Sequence, residues 1–531
     1  MKRKTAVFLL VLLAVSAAVY GAGLRGGFVW DDDRLIVQKS AFFEDPGNIL
    51  RILSTYDDIL TERSTPYYRP LTNLWYMADR HVWGSRPFGY HLENLLLHAG
   101  VAALVWLLIA GAFGDGTLAF FCALLFAVHP VAAEAVNFVS ARNNLLCAAW
   151  MAGALLLLRK GTAAGGLASL AAYFLALMSK EPAVALPFFL LSLALLSGEG
   201  KLRAGKGALA GFFAVTGVYF LLRLKILGTL TTEAGVEFSL ERLALVASTL
   251  FEDFRLLLFP LRLNALYTTE FLSFQPYKAV AAVAGMAALV WLGVWRRSPE
   301  PLRAGSLWVV WGLLPVSNVV LIPSAPVAER YLYIPLMGFS VMAGYGLHAL
   351  YRRKPAWGWA ALAGICLLLG ARAFERNFVW RDNTALYRSM IESDPGNADA
   401  HFNLGAEYQN AGRPDLAFRE WMETVRIRPR DADAYNNIGT LYMVSGDYRS
   451  AASCFETARK LNPNNALFYF NVGLAAEKMG DRKKAIMYYQ LYMELAGAAP
   501  SALHRDVGKG FMTNEQKVRE VQGRIDALLA R

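Results

Sequence analysis

Three consecutive carboxylates, Asp31-Asp32-Asp33, stand a few residues beyond the first apolar run of the chain. At that place a carboxylate can act as a general base or as a metal ligand. The bland alternative is a solvated acidic turn that caps a short helix over Arg34-Leu-Ile-Val-Gln. Further ionisable side chains stand where other apolar runs end. His129 and Glu134 are surrounded by Ala127-Val128, Ala132-Ala133 and Ala135-Val136, so neither sits in a generic polar loop. Lys180-Glu181 is an opposite-charge pair between two apolar runs, Glu329-Arg330 precedes Tyr-Leu-Tyr, and Arg69 lies in Tyr67-Tyr-Arg-Pro70. His91, Asn94 and His98 recur at helical spacing. They make one polar face that suits hydrogen-bonded packing better than a metal, because no carboxylate completes a triad.

Composition says what must position these groups. The chain has 531 residues, of which 56% are hydrophobic and 18% charged. A soluble chain carries about 25% charge. Long apolar runs fill residues 1 to 375, whereas 376–531 is polar, so a membrane domain precedes a soluble one. The four cysteines form no C-x-x-C pair, and neither a disulfide framework nor a zinc site is implied. The net charge of +11 gathers in short loops at Lys2-Arg3-Lys4, Arg159-Lys160, Lys201/Arg203/Lys206, Arg296-Arg297/Arg303 and Arg352-Arg353-Lys354. Such clusters mark cytoplasmic loops. With no basic face interleaved with aromatics, nucleic acid is excluded as a partner.

A spanning helix needs about 20 mostly apolar residues. Spans are expected near 6–23, 91–111, 117–134, 142–158, 165–179, 182–198, 207–224, 278–295, 306–322, 331–350 and 356–373, about eleven in all. Keeping the basic clusters inside gives a cytoplasmic N-terminus and an extracytoplasmic C-terminus, in an inner or plasma membrane. The run 241–260 carries Glu252, Asp253 and Arg255 mid-segment and reads as an interfacial or re-entrant helix on the outer side, since charge at membrane depth is costly. The first run reads as a retained helix rather than a cleaved signal peptide. The loop over 24–90 and the carboxylates, His129 and cations above then share the outer face.

After residue 395 the sequence repeats every 34 residues: Gly405, Gly439 and Gly473; Ala417, Ala451 and Ala485; Trp421, Phe455 and Tyr489. Small residues where paired helices touch, with aromatics beside them, are the tetratricopeptide (TPR) pattern. Repeats are expected at 398–431, 432–465 and 466–499, after a half repeat and linker at 376–397 and before a linker and capping helix at 500–531. The expected fold is therefore all-α, a polytopic membrane helix bundle followed by a TPR α-solenoid. The solenoid is a scaffold for a protein or glycan acceptor, or for no more than rigidifying the membrane domain.

No phosphate loop, dinucleotide fingerprint, nucleophile elbow or zincin motif is present. An acid and several cations at an outer membrane surface suit transfer from a sugar carried on a polyprenyl phosphate. The phosphate leaves without protonation, one carboxylate deprotonates the incoming hydroxyl, and cations stabilise the departing charge. The motifs, in order, are Trp-Asp-Asp, Tyr-Arg-Pro-Leu, His-Leu-x-Asn-x-x-x-His, Phe-Ala-Val-His-Pro-Val-x-x-Glu-Ala-Val, Ser-Lys-Glu, Ala-Glu-Arg-Tyr-Leu-Tyr and then the repeats. Together they resemble the transmembrane and TPR-containing O-mannosyltransferases over nearly the whole chain, as a bacterial-type relative with a short array. The resemblance implies a GT-C membrane glycosyltransferase fold, a polyprenyl-phosphate-linked mannose-like donor and protein Ser/Thr as acceptor. It also implies Asp31 and Asp32 as the catalytic acidic pair, with Asp33 an extra. Arg330, Lys180 and Arg69 would bind the donor phosphate, and His129, Glu134, Glu181, Glu329 and His91 would support them. No motif requires a cofactor, although a divalent Mg or Mn ion is compatible with the acidic loop. Two other classes fit parts of the pattern: a TPR-fused polysaccharide ligase or polymerase, and a non-enzymatic membrane scaffold displaying TPRs.

Overall fold

The computed structural model describes residues 2–55, 67–196, 205–228, 239–268, 272–319, 325–497, 504–506, 510–512 and 514–530. Lys201 and Arg203 of the third basic loop, and the ends of the expected spans 182–198 and 306–322, fall outside these. The chain divides into two compact units, Met1–Ser389 and Met390–Arg531.

The first unit begins with α1 (Lys2–Tyr20). The following loop builds α2 (Ser40–Glu44), α3 (Ile49–Ser54) and α4 (Pro70–Trp83). Then come α5 (Pro87–Phe113), α6 (Gly116–Val128), α7 (Ala132–Asn137), α8 (Arg142–Leu158), α9 (Ala163–Ser179), α10 (Ala185–Leu196) and α11 (Lys206–Leu227). The unit continues through α12 (Leu240–Leu258), α13 (Pro276–Val294), α14 (Glu300–Leu313), α15 (Tyr333–Arg353) and α16 (Pro355–Val379). The next helix, α17 (Asn383–Ser393), begins in the first unit and ends in the second.

Each expected span overlaps a helix among the described residues, although the count of eleven crossings is not thereby established. Among the described residues, six helices are long and apolar enough to cross a membrane: those over Thr5–Arg25, Pro87–Phe113, Val139–Leu158, Lys206–Leu227, Pro276–Val294 and Pro355–Val379. α6, α9 and α10 are apolar but shorter.

Local chemistry sets the breaks. α5 ends because Gly114 takes φ +73°, where a Cβ is disfavoured, and Asp115 then caps α6 by accepting from the Thr117 and Leu118 amides. The expected span 117–134 is interrupted. Pro130 has no amide to continue α6, so the helix stops at Val128 and Glu134 lies on the separate helix α7. The charged run 241–260 does form one helix, α12, with Ser248, Thr249, Glu252 and Asp253 buried.

The second unit stacks helix pairs. These are α18 (Ala398–Asn410) with α19 (Pro414–Ile427), α20 (Ala432–Ser445) with α21 (Tyr448–Leu461), and α22 (Ala466–Lys478) with α23 (Arg482–Gly497). The 34-residue period is a packing constraint. A Cβ on Gly405 would stand 2.5 Å from the Trp421 ring, one on Gly439 2.6 Å from Phe455, and one on Gly473 2.8 Å from Tyr489. Ala417, Ala451 and Ala485 are fully buried opposite them. A short antiparallel hairpin, β1 (His504–Asp506) with β2 (Gly510–Met512), has no counterpart in the sequence reading. It precedes α24 (Asn514–Leu529), whose Val521 and Ile525 close the core around Phe470 and Tyr492.

Candidate active site

The three acidic residues of the first loop part company. Asp33 is exposed at the start of a π-helical turn and accepts from the Gln38 amide at 3.0 Å. Asp32 does not cap that turn but points inward and is fully buried. Its Oδ1 accepts from the Ser140 amide at 2.7 Å and from the Ser140 hydroxyl at 2.5 Å. Its Oδ2 accepts from the Val29 and Val139 amides at 3.3 and 3.4 Å. Burial pushes the Asp32 carboxyl up to about 7, against the Ser140, Val29 and Val139 donors that favour its ionised form. This carboxylate pins the first loop to the turn between α7 and α8.

Asp31 is the half-exposed member, and its carboxylate accepts no hydrogen bond among the described residues. Burial raises its pKa, while Arg330 and then Arg34 pull it back. A carboxylate raised in this way, ungripped and open on one side, is suited to accept a proton.

Arg330 occupies the centre. Its guanidinium pairs with Glu134, and its own backbone amide donates to the second Glu134 oxygen at 2.8 Å. Glu134 is fully buried and so holds both the position and the direction of Arg330. The guanidinium lies over Tyr331 at 5.1 Å, Trp30 at 5.8 Å and Phe138 at 5.9 Å. The Lys180 ammonium also lies 5.1 Å from the Tyr331 ring, and it donates to Asn144. Lys180 is held well below the usual lysine range by burial and by the charges of Arg69 and Arg330. Burial would raise Glu181, but Arg69 at 2.9 Å and Arg223 at 3.3 Å prevail and hold it down at about 2. A line of charge thus runs from Asp31 through three successive cations, Arg330, Lys180 and Arg69, to Glu181 and Arg223.

The remaining candidates stand behind this line. Glu329, fully buried, accepts from Arg376 at 3.1 Å and from the Tyr267 hydroxyl at 3.4 Å, and burial raises its pKa. His91 bonds the Gly27 carbonyl at 3.1 Å, and His129 bonds the Leu257 carbonyl at 3.1 Å and accepts from the Val131 amide. These two imidazoles fasten backbone rather than face Asp31. His98 lies between the Tyr333 hydroxyl and the Ala127 carbonyl, the packing role its spacing implied. Among the described residues no three His, Cys, Asp or Glu side chains gather as a metal ion would require.

Three buried or charged residues near these elements escaped the sequence reading. Arg223 belongs to the charge line but lies in the apolar helix α11, where the charge inside an apolar run was the available signal. Arg142 and Asp79 form a second, fully buried ion pair. Arg142 also donates to the Asn94 side chain at 2.6 Å and to the Tyr90 carbonyl at 2.8 Å.

Similarity to known proteins converges on one family. Tetratricopeptide repeat models match residues 386–419, 432–465 and 466–498. Protein O-mannosyl-transferase TMTC3 of Mus musculus is 24% identical over 488 residues, covering 79% of this chain and 51% of the relative. Protein O-mannosyl-transferase TMTC4 of Homo sapiens is 27% identical over 482 residues, covering 77% and 65%. A shorter stretch of 119 residues, 22% of this chain, is 38% identical to Protein O-mannosyl-transferase Tmtc2 of Drosophila melanogaster. The chain spans about half the length of the TMTC3 relative. Over more than three quarters of its length the chain is similar to proteins named protein O-mannosyl-transferases, and its C-terminal part matches tetratricopeptide repeat models.

Proposed function

We propose that this chain is a membrane glycosyltransferase of the GT-C type. It transfers a mannose-like sugar from a polyprenyl-phosphate donor to a serine or threonine hydroxyl of a protein, on the outer membrane face. The observation that carries the reading is the juxtaposition of an ungripped, half-buried carboxylate, Asp31, with cations in excess of what their own carboxylates neutralise. Lys180 lies within the field of both Arg69 and Arg330, and a phosphate there would relieve their repulsion.

The chemistry balances without a general acid. Asp31 takes the proton of the acceptor hydroxyl as its oxygen bonds to the anomeric carbon. The bond from that carbon to the phosphate oxygen breaks, and its electron pair leaves on the phosphate. Arg330, Lys180 and Arg69 stabilise that charge in a site shielded from water. Glu134 fixes Arg330, Glu181 fixes Arg69, and Asp32 fixes the loop that carries Asp31. The N-terminus is inside and the repeat array outside, where it presents the acceptor.

The test uses the full chain in lipid, with polyprenyl-phosphate-mannose and a Ser/Thr-rich polypeptide. Asp31→Asn keeps the size but cannot take a proton, so the rate falls at least about 10²-fold with donor binding retained. Because burial raises the Asp31 pKa, the wild-type rate falls with acidification at a pH above the ordinary Asp value of about 3.9, and Asp31→Asn removes that limb. Near-normal turnover of Asp31→Asn would sink the assignment. Activity restored by Mg or Mn titration would make the carboxylate a ligand instead. Transfer to a glycan alone would favour a polysaccharide enzyme.

A further inference from the structure

The segment that ends α16 and begins α17 reaches the first loop, α1, α7 and Glu329. Arg376 holds Glu329, and Asn377 joins the Asn137 side chain of α7 at 2.8 Å to the Val19 carbonyl of α1 at 2.7 Å. Two further bonds run from the first loop to this segment. The Gly27 amide donates to the Arg381 carbonyl at 2.9 Å, and the Trp30 amide donates to the Asn383 side-chain oxygen at 2.8 Å. The Trp30 ring stacks on Phe138 at 5.7 Å, and Phe138 stacks on the buried Trp380 at 5.3 Å.

Trp30 itself is unusual. Its φ is +53°, in the left-handed region, which a bulky side chain avoids unless its surroundings hold it there. That conformation reverses the chain immediately before Asp31. Asn383 is not needed to cap α17, because Asp382 already accepts the Ala385 amide at 2.8 Å. Its side-chain oxygen instead accepts from the Trp30 amide.

We infer that Asn383, some 350 residues from the acidic loop in sequence, is a positioning residue for Asp31: it clamps the Trp30 amide and so holds the left-handed turn that aims the Asp31 carboxylate. The inference rests on the proposed glycosyl transfer for its functional consequence, but the clamp itself is measurable without it. Three side chains separate the possibilities. Asn383→Ala removes the acceptor. Asn383→Asp keeps an acceptor of the same reach. Asn383→Gln keeps the amide but displaces it by one methylene.

In the full chain reconstituted in lipid, hydrogen exchange over 27–33 should quicken about tenfold in Asn383→Ala and remain near wild type in Asn383→Asp. With polyprenyl-phosphate-mannose and the polypeptide acceptor, kcat of Asn383→Ala should fall about tenfold with the donor KM unchanged. Its acid limb should move to lower pH, because a loosened Asp31 is better hydrated. Asn383→Asp should restore both. Should Asn383→Ala not fold, Asn383→Gln is expected to show the same loosening. Unchanged exchange in Asn383→Ala or Asn383→Gln overturns the clamp, and so does an Asn383→Asp variant as impaired as Asn383→Ala. An inactive wild type whose exchange responds as expected overturns the function reading and leaves the clamp supported.

Discussion

Two ion-paired arginines of the first unit look alike and behave differently. Arg142 is fully buried, and its guanidinium donates to Asp79, Asn94 and the Tyr90 carbonyl, with Glu93 at 3.5 Å. Glu93 in turn accepts from the Trp75 and Trp83 indoles at 2.6 and 2.7 Å. That knot is closed, and it ties α4 and α5 to the start of α8. Arg330 has Glu134 on one side, aromatic faces around it and the ungripped Asp31 within its field. A buried charge whose donors are all spent holds a fold together. One that keeps capacity towards an open side can hold a reactant.

Four substitutions break or sharpen that contrast. The largest effect is expected from Arg142→Met. It strands Asp79 as an unpaired buried carboxylate and should cost about 3–5 kcal/mol of stability, read as a lowered thermal midpoint in lipid, with turnover per folded molecule retained. If instead stability holds and turnover disappears, the division between a closed and an open arginine is wrong. Asp32→Asn leaves one oxygen for the donors at Val29, Val139 and Ser140, so a loss of about 1–3 kcal/mol should accompany any loss of rate. Lost rate at unchanged stability would make Asp32 the base.

Arg330→Lys is next. A lysine cannot keep both the Glu134 pair and a two-pronged contact to phosphate, so kcat/KM should fall about tenfold, a change worth about 1.4 kcal/mol, with little change in melting. An unaltered rate removes Arg330 from the site. Asp33→Asn should be the mildest, within about 0.5 kcal/mol in stability and near wild type in rate, because Asp33 is exposed and bonds only Gln38 among the described residues.

The legible part of the site was the part with a local signal. Asp31, Lys180 and Arg330 interrupt apolar sequence, and an ionisable group there is costly enough to be noticed without a partner in view. What each does was not legible. Adjacent Asp31 and Asp32 look equivalent in sequence, yet one is ungripped and the other has both oxygens occupied, because their side chains leave the backbone in different directions after a left-handed Trp30. His129 read as part of the site, whereas Arg142 was passed over. The partners that decide both, the Leu257 carbonyl and Asp79, are 128 and 63 residues away.

The sequence by itself determined the all-α class, the apolar helices and the repeat array. Hydrophobic runs and a 34-residue period are local properties, written wherever one face of each helix must be buried. Gly405 and Trp421 announce their contact because both recur at a set distance in every repeat. Only the tertiary structure decided which charges face one another. Glu134 meets Arg330 across 196 residues, and Asn383 meets Trp30 across 353. No periodicity encodes such pairs. Their geometry follows from how the helices pack, and burial there makes each partner's identity, and even the direction of its oxygens, decisive.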